Sequence, residues 1–160
     1  MEKVIFAAGC FWGVQFYFDE VPGVTATTVG YTGGHTKNPT YEQVCTHTTG
    51  HAEAVLVEFD SKKVSFETLL KQFFRMHDPT QLNRQGPDVG DQYRSAIYYF
   101  NDDQKKQIDA VKKAVQPNFK DPIVTQVEPA DEFYKAEEYH QKFTQKTGHG
   151  MCHIPYAPVS

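Results

Sequence analysis

The chain has 160 residues, 39% of them hydrophobic and 22% charged, with a formal net charge of -4. That length suits a single domain with one core, and the slight acidity excludes the basic footprint that nucleic acid or an anionic membrane surface requires. No apolar run approaches membrane-spanning length and the short N-terminal one lacks a signal-peptide pattern, so a monomeric cytoplasmic protein with a neutral substrate is expected.

Residues 3–8, Lys-Val-Ile-Phe-Ala-Ala, read as a buried first strand closed by Gly9. Residues 11–18 carry an aromatic-rich helical pattern, stopped by Asp19 to Gly23. Cys10 falls at the strand-to-helix turn, where unpaired backbone N–H groups and the helix dipole favour a thiolate over a thiol. A nucleophile is expected at such a place; a small buried hydrophobe is the plainer reading. Phe11 and Trp12 either wall a pocket against the sulfur or fill the core.

Residues 24–30 form a second strand, followed by a Gly-rich surface loop to Pro39. Thr40 and Gln43 make a capping box for a short helix, which offers the Tyr41 hydroxyl to a cleft unless that ring only packs. Residues 49–59 form the third strand, with His51, Glu53, Val55 and Val57 on one face. Glu53 thus stands among apolar neighbours, where a carboxyl group loses solvation, keeps its proton near neutral pH and can donate it to a developing oxyanion. A strand-end glutamate exposed to water or paired with a lysine is the alternative.

Residues 65–77 are an amphipathic helix capped by Ser65. Residues 81–92 form a long polar loop whose Gly and Pro punctuation favours function. A strand at 93–100, a helix capped within Asn101 to Asp103 and running to about Val115, a strand at 123–127 and a last helix or pair of helical turns at 129–143 complete the pattern. From about residue 146 the tail is irregular and glycine-containing, mobile enough to swing Cys152. The order of elements points to an α+β fold, a two-layer sandwich of helices on one mixed sheet, guessed as a ferredoxin-like plait.

Cys10, Cys45 and Cys152 are odd in number and far apart, which argues against a disulfide framework and for a catalytic or redox role. No Cys-x-x-Cys is present. Cys45, His47 and His51 lack a second ligand pair, so neither a metal nor another cofactor is expected.

Four stretches resemble the A-type peptide methionine sulfoxide reductases. They are Gly9-Cys-Phe-Trp-Gly13, Tyr41 through Glu53, Asn83 through Ser95, and Phe133 through Gln141, in the family's order. The resemblance implies Cys10 as nucleophile, Phe11 and Trp12 as the pocket for the substrate methyl group, and Glu53 as proton donor. It implies Tyr41, Asp88 and Tyr93 as the groups holding the sulfoxide oxygen. Cys45 matches a cysteine outside the redox relay and keeps its core reading, while Cys152 looks like the resolving cysteine. Two departures stand out: Pro87 for the commoner asparagine, and Asp91 for threonine, which would bring a third carboxylate near the oxygen site.

The implied reaction reduces methionine S-sulfoxide, free or protein-bound, through a Cys10 sulfenic acid that Cys152 condenses with, and thioredoxin then reduces the disulfide. The S stereochemistry is implied by the family alone. The rival readings are a thiol reductase of small molecules that merely tolerates this substrate, and a binding module that holds an oxidised or methylated ligand in an aromatic pocket.

Overall fold

The computed structural model describes residues 2–46, 48–86 and 88–141. Strand β1 (Glu2–Ala8) is buried on both faces from Val4 onward and leads through Gly9, at φ 94°, into helix α1 (Phe11–Asp19). That positive φ is one a side chain resists, and it lets the strand end turn directly into a helix. Strand β2 (Val24–Thr32), helix α2 (Tyr41–Cys45), strand β3 (Ala52–Phe59) and helix α3 (Phe66–Met76) follow close to their expected places. So do strand β6 (Ser95–Tyr99) and helix α4 (Asp102–Val115).

The segment expected as a long loop holds more structure than its composition announced. Strands β4 (Arg84–Gln85) and β5 (Asp88–Val89) pair antiparallel, and a 3-10 turn (Asp91–Tyr93) carries the chain into β6. Each element is too short for periodicity to register.

The expected final helix is not formed. Strand β7 (Gln126–Pro129) pairs parallel to β6, strand β8 (Phe133–Lys135) pairs antiparallel to β2, and only a 3-10 turn (Glu138–His140) is helical. The strand read at 123–127 therefore lies about three residues later. Gly30 makes room for β8: a Cβ there would sit 2.5 Å from the Phe133 ring and from the Tyr134 carbonyl, so this pairing depends on its absence.

The sheet is mixed, in the order β7-β6-β1-β3-β2-β8, with β1 antiparallel to both β3 and β6. One face carries the main core. Phe6 stacks between Phe18 of α1 and Phe73 of α3 at ring separations of 4.9 Å, and Ile108 and Val111 of α4 join the same cluster. The other face is a thinner layer of Ile5, Ala7, Ala52, Ala54, Ala96 and Tyr98. Among the described residues no helix is long and apolar enough to cross a membrane. The tail with Cys152, and Pro87, lie outside the described residues.

Candidate active site

The site begins at the N-terminus of α1, where Cys10 is the cap residue with no side-chain capping bond of its own. The first helical amide, Phe11 N–H, donates instead to Glu53 Oε1 at 3.2 Å, across 42 residues of sequence. Glu53 stands near the start of β3, opposite Tyr31 of β2, on the face of the sheet that bears α1. It is 1% exposed, and its Oε2 is buried without a hydrogen-bond partner among the described residues. The solvent-exposed alternative is thereby removed.

Burial pushes the Glu53 carboxyl up to about 8; the Phe11 amide opposes this and the Asp88 carboxylate adds to it. Desolvation prevails because one backbone bond replaces only part of a carboxylate's hydration. Glu53 is therefore mostly protonated at neutral pH, the state a general acid needs.

Cys10 departs from expectation. The helix N-terminus does act on it, through the Trp12 and Gly13 amides that favour the thiolate, but burial is the largest influence and raises the thiol far above its ordinary value. Glu53 and Asp88 push the same way. The resting sulfur is a thiol, and the dipole argument fails here because it counted the helix end and omitted the burial and the neighbouring acids.

Tyr41, opening α2, packs against Phe11 and Trp12 at 6.3 and 6.2 Å between ring centroids. The capping box is formed as read, with Thr40 Oγ1 accepting from Gln43 N–H and Gln43 Oε1 accepting from Thr40 N–H. Tyr93, at the end of the 3-10 turn, feels Glu53, Cys45, Cys10 and Asp88, and burial raises both phenols so that each remains a hydroxyl donor. Seven residues named from sequence, Cys10, Phe11, Trp12, Tyr41, Glu53, Asp88 and Tyr93, thus come together from β1/α1, α2, β3 and the 81–93 segment. Asp91 opens the 3-10 turn, and its carbonyl accepts from Arg94 Nη1 at 3.0 Å. Cys152 lies outside the described residues.

The core reading of Cys45 needs amendment. Its side chain is only partly buried and the Tyr41 hydroxyl bonds to its sulfur, which sets it at the margin of the site. Sequence reasoning missed Glu137 and His140 as well. Glu137 accepts from the Tyr31 hydroxyl at 2.9 Å and from Tyr41 N–H at 3.1 Å, and His140 accepts from Trp12 Nε1–H at 2.9 Å. Both belong to the stretch misread as helix, and a helical reading points their side chains elsewhere.

A buried acid beside a cysteine, two phenols and an aromatic wall is an arrangement that can protonate an oxygen while sulfur attacks. The family described as peptide methionine sulfoxide reductase matches residues 2–160. The chain belongs to that family. A peptide methionine sulfoxide reductase MsrA from Methanosarcina acetivorans is 57% identical over 150 residues, covering 92% of this chain and 80% of that one. Methionine sulfoxide reductase A of Corynebacterium diphtheriae superposes with a TM-score of 0.89 at 37% identity, covering 97% of this chain and 83% of that one. Mxr1 from Saccharomyces cerevisiae in complex with Trx2 matches at 25% identity and a TM-score of 0.68, covering 99% and 90%. The family's α+β architecture, a mixed sheet with helices, is the one described above.

Proposed function

We propose that this enzyme reduces methionine sulfoxide by oxygen transfer to Cys10, with Glu53 as the acid and Cys152 as the resolving thiol. The observation that carries the reading is the Glu53 carboxyl, buried, bonded to the first amide of the Cys10 helix and holding its proton to about pH 8. Glu53 protonates the sulfoxide oxygen, with Tyr41 and Tyr93 as hydroxyl donors to it and Asp88 helping to hold it. The substrate sulfur becomes electrophilic and the Cys10 sulfur attacks it, giving up the thiol proton to the Glu53 carboxylate. The hydroxyl then passes from the substrate sulfur to the Cys10 sulfur as the new S–S bond breaks, so that Cys10 becomes the sulfenic acid and methionine leaves; two electrons have passed from Cys10 to the substrate sulfur. Phe11 and Trp12 hold the methyl group.

The Cys152 thiol then condenses with the sulfenic acid, releasing water and forming a disulfide, and a thioredoxin dithiol exchanges with it to return both thiols. The Mxr1–Trx2 complex supports thioredoxin in that role. The split arrangement of β1, α1, β2, β3, α3 and β6, with the sheet order β6-β1-β3-β2, supports the plait reading of the fold. We read the chain as one catalytic domain, monomeric and cytoplasmic, acting on the S epimer.

The test is a single turnover: reduced protein without added reductant, each methionine sulfoxide epimer in turn, with methionine and free thiols counted together. About one methionine per chain with two thiols lost, from the S epimer only, is expected for this relay. Methionine formed by the Cys152→Ser protein with normal thioredoxin cycling would remove Cys152 from it.

A further inference from the structure

We infer that His140 is a positioning residue for the substrate pocket, fixing the Trp12 indole through a neutral acceptor. The inference rests on the reading of Trp12 as part of the methyl-group wall. Trp12 is only partly buried, lies two residues after the nucleophile and packs against Phe11 and Tyr41. Its Nε1–H is a donor with no acceptor capacity of its own. His140 Nδ1 receives it at 2.9 Å, and the two rings stack at 5.6 Å with 28° between their planes.

The contact dictates the state of the histidine. An Nδ1 that accepts carries no proton, so the ring is neutral and the hydrogen sits on Nε2, which is buried without a hydrogen-bond partner among the described residues. His140 is 1% exposed and enclosed by Tyr41 at 4.4 Å, Phe11 at 5.3 Å and Tyr139 at 4.0 Å between centroids. A buried donor with no partner among the described residues is a cost that packing does not explain, whereas the Nδ1 bond does explain the residue type. An apolar ring would take this acceptor from the indole N–H, and a carboxylate would bury a charge among the Phe11, Trp12 and Tyr41 rings. The 3-10 turn that presents His140 also places Glu137 on the Tyr41 amide, so one short segment braces two walls of the pocket.

Trp12 is the only tryptophan in the chain, so a single indole N–H resonance reports the contact. The experiment compares the wild type with H140F and H140N by that resonance and, with W12F added, by steady-state reduction of N-acetylmethionine sulfoxide with dithiothreitol. Asparagine restores a neutral acceptor near the Nδ1 position; phenylalanine keeps the ring and lacks the acceptor. The wild type and H140N should show a downfield, slowly exchanging indole proton and KM values within about threefold of each other. H140F should lose that signature and raise KM about tenfold or more while kcat changes by less than about threefold, as displacement of a binding wall requires. Should H140F fail to fold, H140Q replaces it, its acceptor displaced by one carbon, and its KM should rise above that of H140N. A wild-type KM in H140F beside a raised KM in W12F overturns the His140 role and leaves the pocket reading intact. A wild-type KM in W12F removes the pocket reading, and the His140 role with it.

Discussion

Helices α2, α3 and α4 are closed at their N-termini by their own cap residues, Thr40, Ser65 and Asn101, each accepting from an amide three residues on. Helix α1 begins at Cys10 without such a bond, and its first amide is satisfied by a carboxyl group 42 residues away. A local cap of this kind stabilises a helix end, and α2, which opens on Tyr41, in addition gives its first amide to the Glu137 carboxylate 96 residues away. The open one passes its electrostatic field to a thiol and an acid held side by side. What sets α1 apart is the missing cap bond at Cys10; a carboxyl group from far along the chain meets the first amide of α1 and α2 alike, and both helices open on residues of the site.

Removing the nucleophile should break the open end most completely. Cys10→Ser should lower methionine formation by at least about 10⁴-fold with the fold retained, checked by single-turnover assay alongside a thermal melt. Glu53→Gln keeps the shape and the bond from Phe11 while removing the proton, and should lower the single-turnover rate by about 10²–10⁴-fold at pH 7. The pH dependence has a defined sign. Glu53 titrates near 8, so the acid-dependent rate of the wild type should be lost as pH rises through that value, and E53Q should show no such loss.

Stability follows the same group with the opposite beneficiary. A carboxyl raised from 4.5 to about 8 on folding gives the native state more bound protons than the unfolded state across that window, so the wild type loses stability as pH rises from 4.5 to 8. E53Q should therefore gain on the wild type over the same range, by roughly 3 °C or more in Tm between pH 5 and 9. Ser65→Ala and Asn101→Ala, at two of the closed ends, should each cost about 1 kcal/mol of stability by denaturant unfolding and leave kcat/KM unchanged.

Much of this division was legible in the sequence. Thr40, Ser65 and Asn101 were readable as caps because capping acts within four residues, and the face of Glu53 was readable because strand alternation is strict. The Cys10 thiol was misjudged because its state depends on burial and on Asp88 and Glu53, which only the tertiary fold brings near. The end of the chain was misread because β7, β8 and the 138–140 turn are held by β6, β2 and the aromatic cluster rather than by any period of their own. His140 and Glu137 went with that error, since a helical register hides which side chains reach the site.

The central claim is that a protonated Glu53 and the thiol of Cys10 act as one unit at the open end of α1. It is tested most directly by trapping the Cys10 sulfenic acid with a dimedone-type probe after one turnover of Cys152→Ser protein, from pH 6 to 9, with and without Glu53→Gln. Sulfenic acid forming quickly below pH 8, falling off above it, and forming slowly at every pH in the E53Q background is the predicted result. Equal rates with and without the Glu53 carboxyl, or a rate that keeps climbing through pH 8, would contradict the account.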